Sequence, residues 1–295
     1  MDFRTALYRV GSYLKHQLTA RHTGGHGIHS PYLFEWVRMV MADDNSYYAW
    51  AKIEEIREQL LRDEREVTFV DYGSREARVG KREANIESRE TGDGDRRKVK
   101  DIAKGSLAQK KYAQMLARLV RWLGSANPQY LSRRKEDRGL NVVELGTSLG
   151  VTTAYLATMN KGDKVLTFEG CNAVAEIAKE NWKLLEINNI ECRVGEVTEE
   201  NLRLAVADLQ GGLDVAYIDA NHTYEGTKSY FNVLAEKVHE KTVIVVDDIH
   251  YNQAMEKAWM EICADERVTS TMDLYQMGMV FFDKHYWKRN YKIRL

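Results

Sequence analysis

The chain has 295 residues, 44% of them hydrophobic, enough for one large α/β core or a core with a smaller appendage. Lys and Arg (43) nearly balance Asp and Glu (44), so there is no global field to hold a nucleic acid or an anionic membrane. No apolar stretch approaches the ~20 residues of a membrane span, the start Met1-Asp2-Phe3-Arg4 lacks a leader pattern, and Cys171, Cys192 and Cys263 have neither metal nor disulfide spacing; together these suggest reduced thiols in a cytoplasmic protein.

Phe3, Leu7, Val10, Leu14 and Leu18 recur at helical spacing and predict a first helix over residues 3–19. The glycine-rich run from Arg21 to His29 reads as a loop carrying His22, His26 and His29. Ser30-Pro31 is a helix start, with serine as N-cap and proline in the first helical position. A third helix is expected over 48–62 and a short strand at Val67–Val70. Residues 74–99 are dense in charge and almost without large apolar side chains, and are expected to be a flexible linker. Residues 1–99 therefore read as an N-terminal helical extension that packs on the rest of the chain or on a second subunit of a homodimer, and 100–295 as the main domain. A helix is expected over about 107–123.

From Leu140 onward short apolar runs alternate with helical segments. Val142–Leu145, Val165–Phe168, Val215–Ile218 and Val243–Val246 have the near-continuous apolarity of strands buried on both faces. The segments between them suit right-handed crossovers in a parallel sheet. Val268–Leu274 and Gly278–Phe282 are separated by only three residues, too few for a crossover, and predict an antiparallel hairpin at a sheet edge.

Val143-Glu144-Leu145-Gly146-Thr147-Ser148-Leu149-Gly150 follows a strand and opens a helix. Gly146 permits a sharp turn and close approach of a ligand, and Gly150 close packing at the helix start. Ligands of open α/β sheets bind at this carboxyl edge, and an acid ending the next strand, Glu169, is placed to accept the hydroxyls of a ribose. Asp219 and the pair Asp247-Asp248 end two further strands, and His222 follows Asp219 by three residues. Acids at neighbouring strand ends repel one another unless a cation, an amine or hydrogen bonds compensate. By the residues alone, Asp219 and Asp247 read as strand-end caps or as site residues, and His222 as a base or as a hydrogen-bonding pocket residue.

The glycine segment resembles the first motif of class I S-adenosylmethionine-dependent methyltransferases, Glu-x-Gly-x-x-x-Gly, over about residues 100–285. The resemblance implies a Rossmann-like fold: seven strands, mostly parallel, with an antiparallel terminal hairpin and helices on both faces. It implies S-adenosylmethionine as cofactor, with Glu144 near its methionine part, Gly146, Thr147, Ser148 and Gly150 along the turn, Glu169 on the ribose, Glu196 near the adenine, and Asp219 also within reach. The later stretch is similar to the catechol and caffeoyl-CoA O-methyltransferases, and more so to a bacterial group with Asp-x-x-His-x-Tyr-Glu and Asp-Asp-Ile. On that likeness Asp219, Asp247 and Asp248 fall on the ligands of a divalent metal such as Mg²⁺, with aspartate at 248 in place of the family's asparagine. His222 falls on the position of the general base, a lysine in that family, and a histidine of near-neutral pKa suits the task. The implied activity is O-methylation of a small-molecule acceptor, with metal assistance. The alternatives are a protein or RNA acceptor, for which the basic and aromatic tail from His285 to Lys292 would serve, or a non-catalytic S-adenosylmethionine-binding module.

Overall fold

The computed structural model describes residues 3–43, 45, 47–70, 95–124, 139–284 and 287–294. The chain divides into two compact units, residues 1–43 with 198–295, and residues 44–197. Helix α1 (Phe3–Thr19) opens the first unit. Helix α2 (Pro31–Trp36) starts as expected, with the Ser30 hydroxyl accepting from the Leu33 amide at 3.3 Å and proline at the first position.

The second unit begins with α3 (Tyr48–Leu60). Strand β1 (Glu66–Phe69) pairs antiparallel with β2 (Asp95–Lys98). The end of the charged stretch is thus paired backbone rather than linker, while 71–94 lie outside the described residues. Helix α4 (Val99–Ser106), not expected from the sequence, leads to α5 (Lys110–Gly124), close to the helix expected over about 107–123. Strand β3 (Asn141–Leu145), helix α6 (Val151–Ala157), strand β4 (Lys164–Glu169), helix α7 (Asn172–Leu184) and strand β5 (Ile190–Val194) complete the unit. β3 pairs parallel with β4, and β4 with β5. β3 is buried at every position, whereas β5 alternates charge with apolar residues, as suits an edge. Trp50, Ile53, Leu149, Tyr155, Ile177 and Trp182 share one apolar core that joins α3 to the helices around the glycine turn.

The first unit resumes with α8 (Glu199–Ala207), β6 (Leu213–Ile218), α9 (Tyr224–Leu234), β7 (Val238–Asp247) and α10 (Gln253–Ala264). It ends with β8 (Ser270–Asp273), β9 (Met277–Phe281) and β10 (Arg289–Lys292). β6 and β7 are parallel; β9 runs antiparallel to both β7 and β8, forming the expected hairpin. The hairpin is not the edge, because β10 lies parallel to β8 and covers it. Among the described residues the main sheet, apart from the β1–β2 pair, therefore has eight strands rather than seven. The basic and aromatic tail thus supplies a strand that the sequence does not announce. Within β10 Tyr291 is the buried side chain, so the strand's backbone hydrogen bonds have no alternating apolar signature. Among the described residues no helix is long and apolar enough to cross a membrane.

Candidate active site

In the second unit the turn between β3 and α6 is built from residues with unusual backbone. Gly146 has φ 100°, Ser148 φ 49° and Gly150 φ 78°, the left-handed region that glycine enters without strain. At Gly150 a Cβ would also stand 2.6 Å from Trp182 Nε1, which donates at 2.8 Å to the Gly150 carbonyl. The amides of Gly146 and Thr147 both donate to the Phe168 carbonyl at 3.0 Å, tying the turn to the end of β4. Glu169, at that end, is locked: Oε2 accepts from the Ser148 amide at 2.8 Å and Oε1 from the Cys171 amide at 2.9 Å. The loop after β5 joins the same place, since Gly195 donates its amide to the Glu169 carbonyl at 2.8 Å, which sets half-buried Glu196 beside it.

Glu144 is wholly buried. Its Oε2 accepts from Thr167 at 2.7 Å and from the Thr153 hydroxyl. Thr147 and Thr167 hydroxyls meet at 2.6 Å. The carboxylate thus fixes β3, β4 and α6 from inside and does not face solvent, where the expected contact with an ammonium group would be made. Ser106, at the end of α4, reaches Ser148 Oγ at 2.6 Å and supports the turn from outside. No spacing pattern connects residues 106 and 148, so that support is invisible in the sequence.

In the first unit the expected catalytic residues gather. Asp219 follows β6 and Asp247 ends β7. His222 Nε2 lies 3.2 Å from Asp219 Oδ1 and 3.5 Å from Asp248 Oδ2. Tyr217, buried in β6, donates to Asp219 Oδ2 at 3.1 Å, and Gln276 donates to Asp248 Oδ1 at 2.6 Å. Asn221 (φ 51°) and Asp248 (φ 53°) hold the two loops in left-handed turns, and Thr223 caps α9 by accepting from the Gly226 amide at 3.1 Å. Arg9 of α1 lies over the Tyr251 ring at 5.4 Å, and Tyr251 faces His222 with centroids 6.1 Å apart. Gln276 and Arg9 are site neighbours that no motif marks, one in the hairpin connection and the other on a distant helix.

Charge explains the titration of this group. Burial raises the Asp247 carboxyl well above its ordinary range, helped by the charges of Asp219 and Asp248, and burial raises Asp248 as well. Burial pulls His222 down, but its close contact with Asp219 and the charges of Asp219, Asp248 and Asp247 outweigh this and raise it to about 9. The near-neutral value expected from sequence is not what the surrounding acids produce. His22, His26 and His29 do not converge: His22 Nδ1 meets the His26 carbonyl at 3.0 Å and its ring packs edge-on to Tyr291.

A family model described as a methyltransferase domain matches residues 143–249, from the glycine turn through the Asp247-Asp248 pair. Those residues are a methyltransferase domain. No curated protein matches the chain in sequence. Among solved structures, the O-methyltransferase from Bacillus cereus in complex with SAH is similar at TM-score 0.51 and 18% identity, over 85% of this chain and 97% of that one. The likeness establishes the Rossmann-like methyltransferase fold. The SAH-bound Podospora anserina methyltransferase PaMTH1 (TM-score 0.47, 12% identity, 81% and 99% covered) is also similar. So is TomG from Streptomyces achromogenes, an O-methyltransferase of tomaymycin synthesis in complex with SAM (TM-score 0.48, 15% identity, 60% and 81% covered).

The methyltransferase's glycine turn and fixed Glu169 suit a ribose-bearing cofactor, since a carboxylate has about four acceptor positions and backbone amides orient it here. A divalent metal is a different matter. The three carboxylates offer the hard oxygen donors that Mg²⁺ prefers, yet the His222 ring nitrogen lies where it contacts two of them. Among the described residues no three His, Cys, Asp or Glu side chains converge to hold a metal ion. As arranged, Asp219, Asp247 and Asp248 are compensated by an imidazolium and do not form a metal cage.

Proposed function

We propose that this methyltransferase transfers the methyl group of S-adenosylmethionine to an oxygen of a small hydroxylated acceptor, with His222 as general base. The observation that carries the reading is His222 held 3.2 Å from Asp219, at a strand end of a methyltransferase fold. Cofactor binding alone does not need such a pair; deprotonating a hydroxyl does. The cofactor supplies a methyl carbon already activated by a sulfonium leaving group. The protein's work is to bind, align and take the proton, and alignment alone is worth on the order of 7–11 kcal/mol in favourable cases.

Glu169 accepts the ribose hydroxyls, the turn at Gly146, Thr147 and Ser148 leaves room for the rest of the nucleoside, and Glu196 borders the adenine. Glu144 keeps the turn in shape from within. When the acceptor oxygen takes the methyl group and the carbon–sulfur bonding pair leaves with sulfur, the acceptor proton would pass to His222 Nδ1, the ring nitrogen left over when Nε2 faces Asp219 and Asp248. Asp219 orients the ring and stabilises the imidazolium that results, and Asp247 and Asp248 strengthen that field. No step here requires a metal.

The test is transfer of label from S-[methyl-¹⁴C]adenosylmethionine to a panel of phenolic and catecholic acceptors, with protein and RNA fractions in parallel. Label in a small-molecule ether, lost in His222→Gln, is expected. Label found only in protein or RNA, or retained on the cofactor with every acceptor, overturns the assignment.

A further inference from the structure

Helix α1 is amphipathic, but it turns its polar row toward its own unit. Tyr8, Ser12 and His16 recur every fourth residue, so they stand one above another on one face. The Tyr8 hydroxyl donates to Glu256, Ser12 Oγ meets the Tyr275 hydroxyl at 3.1 Å, and His16 Nε2 lies 3.2 Å from Asp273. His16 is 2% exposed. The opposite face carries Leu7, Val10, Leu14 and Leu18, which are 65%, 58%, 56% and 85% exposed. Single exposed leucines are ordinary; a continuous apolar row on the outer face of a helix anchored by hydrogen bonds is not.

We propose that this row is a self-association surface, on which α1 packs antiparallel against α1 of a second copy of the chain. The row reads nearly the same in both directions about the Val10–Gly11 bond. Leu7 and Leu14 stand at equal distances from it, and the sequence continues the pattern outward with Phe3 and Leu18. A two-fold interface requires this self-complementarity, because residue i must meet j where j meets i. Leu7 then faces the partner's Leu14, and Val10 faces the partner's Gly11. Gly11 has open space around the place of a Cβ, with nothing within 4 Å, so the helices can approach closely where they cross. The three- and four-residue spacing along Leu7, Val10, Leu14 and Leu18 is that of a helix–helix seam.

The area agrees with this occupant. Four large aliphatic side chains more than half bare expose on the order of 400 Å² of apolar surface, the size that marks an interaction site. Doubled by the two-fold axis and widened by Tyr13 and the stem of Lys15 at the flanks, the contact reaches the ~1,000 Å² that a specific interface needs. A lipid surface fits less well. Membrane-surface helices present a basic polar face beside the apolar one. Here the polar row is bonded to α1's own unit, and Arg9 lies over Tyr251.

Sedimentation velocity of the full chain between about 1 and 100 µM tests the proposal. The wild-type protein is expected to be a dimer, and Leu14→Glu a monomer with unchanged far-ultraviolet circular dichroism. Mild oxidation of Gly11→Cys is expected to give a disulfide-linked dimer, and Thr19→Cys, off the row, is not. A wild-type monomer over the whole range overturns the proposal, whether or not that monomer floats with phosphatidylcholine–phosphatidylglycerol vesicles. So does a Leu14→Glu dimer as stable as the wild type. A dimer lost in Leu14→Glu but not cross-linked through Gly11→Cys overturns the antiparallel crossing. All readouts are independent of methyl transfer, so they stand or fall apart from the catalytic assignment.

Discussion

The His222 imidazole, set among three carboxylates, keeps its proton far above the usual histidine range, to about 9 against an ordinary 6.5. The direction follows from which effects win. Burial favours the neutral ring, but the close contact with Asp219 and the charges of the three acids favour the cation more strongly. At pH 7 about one molecule in a hundred then holds the neutral base, and at pH 9 about half do. The base-dependent rate should therefore rise close to tenfold per pH unit above 7, gain about 50-fold by pH 9, and then level off.

Two variants separate cause from coincidence. Asp219→Asn removes the largest raising contribution, so the inflection should move down toward 6.5 while the maximal rate falls. His222→Gln should cost about 10²–10⁴ in kcat and abolish the inflection. Ring-carbon NMR reads the titration without any acceptor: the chain has eight histidines, and the signal missing in His222→Gln identifies the one that matters. An inflection below 7 in the wild type, or one that stays in place in Asp219→Asn, would refute the electrostatic reasoning. The same pair also stabilises the fold. Because the folded pKa is raised, that contribution is complete below about 6.5 and is lost as pH rises through about 9.

Metal removal gives a second prediction: turnover should survive EDTA, and full loss with EDTA that Mg²⁺ restores would show that the carboxylates open into a cage. Gly150→Ala should destabilise the second unit by about 2–4 kcal/mol, measured by urea unfolding, because φ 78° and the Trp182 contact at 2.6 Å both oppose a Cβ; a change under about 0.5 kcal/mol would contradict the packing described. Asp273 is pushed up by burial, but hydrogen bonds from His16 and His250 overcome this and hold it well below the usual range. It should therefore add stability above about pH 4 that is lost on acidification, and Asp273→Asn should flatten the acid limb of the unfolding midpoint; an unchanged acid limb would show that the pairing contributes nothing.

How far the fold could be read in advance follows from what each element buries. The strands at 142–145, 165–168, 215–218 and 243–246 were legible because strands covered on both faces must be apolar at nearly every position. β2 and β10 were not, since Asp-Arg-Arg-Lys and Arg-Asn-Tyr-Lys make their ladders with backbone groups that any sequence carries. That acids stand at the ends of the strands was legible, because the turn glycines and the strand runs mark where each strand stops. Their side-chain states were not: the closure of Glu144 by two threonines, the hold of Gln276 on Asp248 and the raised His222 pKa all depend on contacts between distant segments. Periodicity likewise found the apolar face of α1 without saying which way it points, and hydrogen bonds from Tyr8, Ser12 and His16 turned it outward.

Calorimetric titration with S-adenosylhomocysteine probes the cofactor cradle most directly. One molecule should bind per chain, and Glu169→Gln should weaken it by about 10–100-fold, the worth of charge-assisted hydrogen bonds to a ribose. Heat of binding absent at about 1 mM ligand, with no rise in the thermal midpoint, would contradict the account at its root.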